Sequence, residues 1–149
     1  MLCGLKKEAI LISHDTPDKE TALHMIIDLA CTTCHVSFRD EITSAIMERE
    51  NKLSTGIGLG IAVPHCRNDQ MKEPVSAVIL FTRGIEYNSV DGQPVKLMFL
   101  IVSPTEDVRG HIACLSAISH AVSDEEIRQK LINAEKPDEL FEHFRSIEG

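Results

Sequence analysis

The stretch Val95-Lys-Leu-Met-Phe-Leu-Ile-Val102 is almost entirely apolar, with one charged side chain at its second position. A short apolar run of this kind is typical of a central strand that is covered on both faces of a sheet. A second β-prone run, Val75–Phe81, precedes it, and turn signals at Gly84 and at Asp91-Gly92 lie between the two. These two runs predict two strands, and Val95–Val102 is predicted to be central in the sheet.

Segments with helical or β-strand patterns surround this middle in an uneven order. Start signals such as capping side chains and prolines in a first turn locate the helices. The remaining predicted elements are a strand Glu8–Ser13, a helix opened by Asp15-Thr16-Pro17 that fades around Cys31–Val36, a helix Phe38–Asn51, a strand Ile61–Val63, a helix opened by Ser103-Pro104-Thr105, a helix with a capping box at Ser123 and Glu126, and a helix opened by Lys136-Pro137-Asp138.

Helices lead, strands cluster in the middle and helices close the chain, an order that favours helices on both faces of a mixed sheet. We therefore predict an α/β (α+β) fold, a three-layer α/β/α sandwich around a mixed sheet of about four to five strands. With 149 residues, the chain has a normal length for one domain, and we assign residues 1–149 to a single domain.

Composition excludes several classes of protein. Apolar residues make up 43% and charged residues 26% of the chain, as in globular proteins. A net charge of −8 argues against binding of nucleic acid, which requires clustered basic side chains. The longest apolar run, Leu97–Val102, is far too short to span a bilayer, so we expect no membrane insertion. The first residues do not follow the order of a signal peptide, and we expect a cytosolic protein.

Five cysteines are present, and in a cytosolic protein we expect reduced thiols. They are Cys3, Cys31, Cys34, Cys66 and Cys114. Cys31-Thr-Thr-Cys34-His35 matches the C-x-x-C-H pattern of haem attachment, and haem or metal binding is one interpretation of it. Small residues that close a helix are the other interpretation, and we favour it because the pair follows an apolar helical stretch.

The segment Ser54-Thr-Gly-Ile-Gly-Leu-Gly-Ile-Ala-Val-Pro-His65 alternates glycines with apolar residues. Glycines allow positive φ and let backbone N–H groups approach an anion closely. The spacing fits neither the dinucleotide-binding fingerprint nor the P-loop, and a tight loop before an edge strand is the competing interpretation. We expect Pro64 to end the strand Ile61–Val63, so that His65 lies at the strand end, just outside the sheet.

Three side chains are the candidates for chemistry. An imidazole has an ordinary pKa of about 6.5, so its nucleophilic neutral form is abundant near neutral pH, and His65 is presented by its loop. His111 heads an apolar helix face in a first turn that favours an anion, but a core-edge histidine held by a neighbour shows the same pattern. Arg49 lies near a helix end, where the sequence pattern alone favours a solvated cation.

Arg49-Glu50, the segment Ser54–His65, Asp91-Gly92-Gln93-Pro94-Val95 and His111 together resemble a known family. They resemble the enzyme IIA domains of the fructose–mannitol type in the bacterial phosphoenolpyruvate-dependent phosphotransferase system, including its nitrogen-regulatory branch. The resemblance covers nearly the whole chain and implies a mixed sheet between helices. It implies that His65 is the phosphorylated residue and that Arg49 and His111 help to hold the phosphate. Candidate further phosphate contacts in the loop are Ser54, Thr55, Gly56, Gly58 and Gly60.

The implied function is that of a phosphocarrier with a phosphohistidine intermediate, which needs no metal, nucleotide or other cofactor. Its donor would be a phosphocarrier like HPr. Its acceptor would be a IIB domain, or a regulatory target that responds to the phosphorylation state. We favour the regulatory role by a narrow margin because no IIB or membrane segment is fused to this sequence. The alternative is a haem- or metal-binding protein that uses Cys31, Cys34 and His35.

Overall fold

Six strands form one mixed sheet in the computed structural model, which describes residues 2–147. They are β1 (Leu5–Ser13), β2 (Gly56–Gly58), β3 (Ile61–Ala62), β4 (His65–Asn68), β5 (Val75–Ile85) and β6 (Val95–Pro104). The strand order is β1-β5-β6-β3-β2, and β4 pairs with β6 beyond the end of β3. Strand β6 runs antiparallel to β5 and parallel to β3 and β4. The predicted mixed sheet is confirmed, with one strand more than expected.

The central position predicted for the apolar stretch is confirmed. Leu97–Val102 lie in the middle of β6, and each of these side chains is at most 1% exposed. Alternate residues enter two different cores, as the two-residue period of a strand requires. Met98 and Leu100 face one core, whereas Phe99 and Ile101 face the other. The run is apolar throughout because both faces of this strand are covered.

Five helices of the described residues cover the sheet. They are α1 (Lys19–Thr33), α2 (Arg39–Lys52), α3 (Val108–Ser123), α4 (Glu125–Ile132) and α5 (Pro137–Ile147). Helices α1 and α2 enclose one core, and α3, α4 and α5 enclose the second on the opposite face. The predicted three-layer sandwich is therefore confirmed. Between residues 2 and 147, no helix combines the length and the apolar character needed to cross a membrane.

Three helices begin later than the sequence pattern predicted, and an aspartate is the N-cap in each case. Asp18, Asp107 and Asp124 each accept a hydrogen bond from the backbone N–H three residues ahead. A carboxylate at this position satisfies a free N–H group and the positive end of the helix dipole. Pro104 is consequently the last residue of β6 rather than part of a helix start, and Ser123 is the last residue of α3.

The prediction that the strand stops before Pro64 is confirmed, since β3 ends at Ala62, but the prediction that His65 lies outside the sheet is wrong. Pairing resumes at once, because β4 begins at His65, which lies beside Ile101 of β6. Proline lacks only the N–H group, and its carbonyl accepts a hydrogen bond from the Ile101 N–H at 3.1 Å. The proline therefore interrupts the strand locally without diverting the chain from the edge of β6.

A disulfide joins Cys3 to Cys114, across 111 residues of sequence. The expectation of reduced thiols is therefore wrong for these two residues. The short turn Leu2–Gly4 buries Leu2 and Cys3 in the core on the α3–α5 side, which brings the two Cα atoms within 5.7 Å. Cys31, Cys34 and Cys66 are free.

Candidate functional site

His65 is half-buried at the start of β4, and its ring is oriented by the backbone just before it. Its Nδ1 lies 2.7 Å from the Val63 carbonyl oxygen. A carbonyl can only accept, so Nδ1 carries the proton and the neutral ring keeps its lone pair on Nε2. The pKa of His65 is lowered by burial, which outweighs the opposing hydrogen bond to Val63. The charge of Arg49 lowers this pKa further, and Glu50 raises it. The ring is thus held in its neutral, nucleophilic form.

His111 meets His65 because β6 leads into α3 and β4 lies beside β6. The two ring centroids are 5.5 Å apart with planes tilted by 54°. His111 Nδ1 is 2.8 Å from the hydroxyl oxygen of Ser103, near the end of β6. Burial lowers the pKa of His111, with further lowering by His65 and Arg67 and opposition by Asp107. The backbone N–H of His111 is already bonded to the Asp107 carbonyl at 3.0 Å, so it is not a free helix-start donor.

Arg49 lies in the last turn of α2, half-buried. One guanidinium nitrogen donates to the Leu53 carbonyl at 2.7 Å, which fixes the side chain across the end of its own helix. Its charge acts on the pKa of His65, which places it in the surroundings of that ring. The structure therefore brings the imidazoles of His65 and His111 into contact, and the charge of Arg49 acts on the pKa of His65 although 62 residues separate Arg49 from His111 in the sequence.

The glycine segment is a β-hairpin rather than an open loop. Strands β2 and β3 are joined by Leu59 and Gly60, whose φ values of 60° and 80° match the mirror-image turns favoured in hairpins. Asp91 Oδ2 accepts from the Leu59 N–H at 2.9 Å, and a Cβ on Gly58 would lie 3.1 Å from the same oxygen. The positive φ of Gly60 in the turn and the close approach of Asp91 to Gly58 explain why glycine is present at these two positions.

The hairpin turn lies away from His65 along the sheet. The Gly60 carbonyl accepts from the N–H groups of Lys96 and Leu97, whereas His65 is in register with Ile101. Measured along β6, the positions of Gly60 and His65 are therefore about five residues apart, or roughly 16 Å. Gly58 and Gly60 therefore lie outside the His65–His111 region.

Ser54, Thr55 and Gly56 lie at the other end of the hairpin, nearer His65, but their donors have partners within the protein. The N–H and hydroxyl of Thr55 both donate to the Glu50 carboxylate, at 2.8 and 2.6 Å. The Gly56 N–H donates to the Ser54 hydroxyl oxygen at 3.1 Å, and that hydroxyl donates to the Tyr87 carbonyl at 3.5 Å. These contacts indicate that the segment supports the structure around His65 through hydrogen bonds within the protein.

Sequence reasoning missed three side chains near the site: Glu50, Arg67 and Ser103. Glu50 continues the four-residue spacing of Ile42 and Ile46, which predicts the buried face of α2. Arg67 lies two residues after His65 in β4 and hence on the same side of the strand. Continuing the strand beyond Pro64 would have identified it.

Two of the free cysteines, Cys31 and Cys66, are buried. Burial raises the pKa of the Cys66 thiol to about 12, and burial also raises the pKa of Cys31. Neither forms a thiolate near neutral pH.

In the part of the chain that the structure describes, no group of three or more His, Cys, Asp or Glu side chains is arranged to hold a metal ion. The alternative function, haem or metal binding through Cys31, Cys34 and His35, thus has no structural support.

Comparisons with known proteins agree with this architecture. The chain is 35% identical over 128 residues to the PTS system fructose-specific EIIA component of Haloferax volcanii, covering 86% of this chain and 83% of that protein. It is 31% identical over 133 residues to the nitrogen regulatory protein of Escherichia coli, covering 88% and 80%. The crystal structure of nitrogen regulatory protein IIA-Ntr from Neisseria meningitidis superimposes with a TM-score of 0.84 at 25% identity, covering 95% and 94%.

The family profile described as "Phosphoenolpyruvate-dependent sugar phosphotransferase system, EIIA 2" matches residues 4–147. The resemblance seen in the sequence is therefore confirmed over almost the whole chain. Relatives of the sugar-specific and of the nitrogen-regulatory kind are both found at similar identity. The chain belongs to the EIIA 2 family of the phosphoenolpyruvate-dependent sugar phosphotransferase system and is a phosphocarrier of the EIIA type.

Proposed function

We propose that Nε2 of His65 accepts a phosphoryl group from an HPr-like phosphocarrier and then passes it to a second protein. The observation that carries this proposal is the hydrogen bond from Nδ1 of His65 to the Val63 carbonyl, beside the ring of His111. It leaves Nε2 of a half-buried imidazole as the nucleophilic atom. Family membership supplies the reaction class.

The transfer forms an N–P bond at Nε2 of His65 while the N–P bond of the donor breaks, and the electron pair returns to the donor nitrogen. Such a transfer depends mainly on in-line positioning and on stabilisation of charge on the phosphoryl oxygens. Arg49 supplies a permanent, forked cation for these oxygens. When the Ser103 hydroxyl donates to Nδ1 of His111, the Nε2–H of His111 is a further donor.

The direct test is a reconstituted phosphorelay with phosphoenolpyruvate, enzyme I and HPr. The expected result is a gain of one acid-labile phosphoryl group on the chain, detected by intact-mass analysis and absent when HPr is omitted. An unmodified chain under conditions that phosphorylate a known IIA would contradict the proposal.

The same phosphorylated chain identifies the acceptor. In sugar uptake, the label moves rapidly to a fructose-type IIB domain, whose thiolate takes the phosphoryl group. In regulation, the label stays on the chain, and binding to a target protein differs between the two phosphorylation states because phosphate adds charge and acceptor oxygens to the docking face.

Replacing Arg49 with alanine should slow acceptance of the phosphoryl group by roughly 100-fold, because charge stabilisation at a developing transition state is lost. The melting temperature should change little, since only one exposed hydrogen bond to Leu53 disappears. Stopped-flow rates with phospho-HPr measure the effect. Lys52→Ala, at an exposed position of the same helix, is the matched control. An unchanged rate in Arg49→Ala would remove Arg49 from the site.

The pH dependence of acceptance should follow the lowered pKa of His65. Only the neutral ring is a nucleophile, so activity falls as pH drops through this pKa. Burial and Arg49 lower the pKa of His65, so the single-turnover rate should persist below about pH 6.5, the ordinary value, and decline only at lower pH. In Arg49→Ala, the decline should begin at higher pH. A wild-type decline centred above pH 6.5 would contradict the burial of a neutral acceptor.

A further inference from the structure

Glu50 is a buried carboxylate at the C-terminal end of α2. Its side chain is 4% exposed, and burial of a charge is unfavourable unless it is paired and hydrogen-bonded. Its two oxygens accept from both donors of Thr55, and Lys19 Nζ lies 2.9 Å from Oε1. The carboxylate therefore holds Thr55 by two hydrogen bonds and is itself neutralised by Lys19.

A cation and a phenol surround this carboxylate and its partner Thr55. Lys19 Nζ also lies 4.5 Å from the centre of the Tyr87 ring, so two partners fix the ammonium group. The Tyr87 hydroxyl is 3.1 Å from the Thr55 hydroxyl oxygen. Burial and the charge of Glu50 raise the pKa of Tyr87 well above its usual range, so it remains a neutral phenol. Because the Thr55 hydroxyl donates to Glu50, it accepts from Tyr87.

Two further hydrogen bonds connect Thr55 to the acceptor histidine. The Thr55 carbonyl accepts from the Val63 N–H at 3.0 Å. The Val63 carbonyl, on the other side of the same residue, accepts from Nδ1 of His65 at 2.7 Å. Glu50 is thus linked to the imidazole of His65 by a continuous series of contacts through Thr55 and Val63.

We propose that Glu50 is a positioning residue for phosphoryl transfer: by clamping Thr55 and, through it, Val63, it holds the carbonyl that keeps the proton of His65 on Nδ1 and presents Nε2 to the donor. This inference rests on the proposed function only for its catalytic consequence, because the proton position is a property of the unphosphorylated chain. The hydroxyl of Thr55 serves this clamp rather than the phosphate.

Two variants test the hydrogen bonds between Glu50 and Thr55, one on the acceptor side and one on the donor side. Glu50→Gln keeps the shape of the side chain but replaces one accepting oxygen with an NH₂ group, and Thr55→Val removes only the hydroxyl. Both should convert His65 from the Nδ1–H tautomer to a mixture of tautomers, seen in the ¹⁵N chemical shifts of the ring. Both should lower kcat for acceptance by roughly 10- to 100-fold with KM for phospho-HPr unchanged, since misplacement affects the reacting nitrogen and not docking.

Matched controls separate this role from a general effect on the fold. Thr55→Ser keeps the hydroxyl and should restore the wild-type tautomer and kcat. Glu48→Gln lies at an exposed position of the same helix and should behave as wild type. If Glu50→Gln does not fold, Thr55→Val and Thr55→Ser still give the comparison.

Three results would overturn the inference. They are a wild-type His65 protonated on Nε2, variants that lower kcat while the tautomer is unchanged, and variants that change neither quantity. If the wild-type chain accepts no phosphoryl group, the proposed function fails, and the tautomer measurements still decide whether Glu50 positions His65.

Discussion

Replacing His65 with alanine is expected to abolish phosphorylation of the chain by phospho-HPr. The variant loses the only atom that forms the N–P bond in the proposed reaction, and neither Arg49 nor His111 can replace a nucleophile by stabilising charge. Intact-mass analysis after a complete phosphorelay should show unmodified protein even after long incubation. The fold should persist, because the substitution removes one hydrogen bond, to Val63, worth about 1 kcal/mol.

Two other histidine variants calibrate this result. His111→Ala should still become phosphorylated, at a reduced rate, because it removes a donor to the phosphate and leaves the acceptor intact. His24→Ala, at a half-buried position of α1, should be indistinguishable from wild type. Continued labelling of His65→Ala at the wild-type rate would mean that another residue carries the phosphoryl group.

Removing the disulfide is expected to give the largest loss of stability. A bridge across 111 residues closes a long loop in the unfolded chain, and in the chain-entropy description it stabilises the fold by about 4–5 kcal/mol. A domain of this size has a total stability of about 5–15 kcal/mol, so Cys3→Ser or Cys114→Ser should lower the melting temperature by roughly 10 °C. Thermal unfolding followed by circular dichroism measures the change.

Reductant distinguishes the bridge from the packing of its side chains. A thiol reductant should lower the melting temperature of the wild-type chain towards that of Cys3→Ser and should have no further effect on either serine variant. Cys34→Ser, which changes a free and half-buried thiol, should keep the full response to reductant. A wild-type melting temperature that is insensitive to reductant would show that the bridge contributes little.

The three layers of the fold can be predicted from local patterns of apolar residues in the sequence. The run Val95–Val102 identifies a strand covered on both faces because no position in its apolar centre meets water, and helical spacing identifies the faces that cover it. Helix starts were displaced where an aspartate lies one to four residues beyond the predicted start, as at Asp107, four residues after Ser103. Capping depends on which acceptor reaches a free N–H group, which a short pattern does not determine.

Sequence patterns predicted only part of the candidate functional site. The loop before His65 and the helix start at His111 single out these two residues, but only the resemblance to a family assigned a role to Arg49 and to His111. Strand β4 was missed because a proline was treated as the end of a strand, although pairing depends on the neighbouring strand as well. The Glu50 contacts join chain segments through tertiary packing and leave only a weak periodic signal in α2.

The break at Pro64 has a consequence for the selectivity of the reaction between two chemically similar nitrogens. Val63 lies between β3 and β4, outside both strands, so its carbonyl is free of the strand pairing. The Pro64 carbonyl accepts from the Ile101 N–H of β6, whereas the Val63 carbonyl faces away from β6 and accepts from Nδ1 of His65. A single backbone hydrogen bond, worth on the order of 1 kcal/mol, thereby decides which of the two nitrogens is left to react.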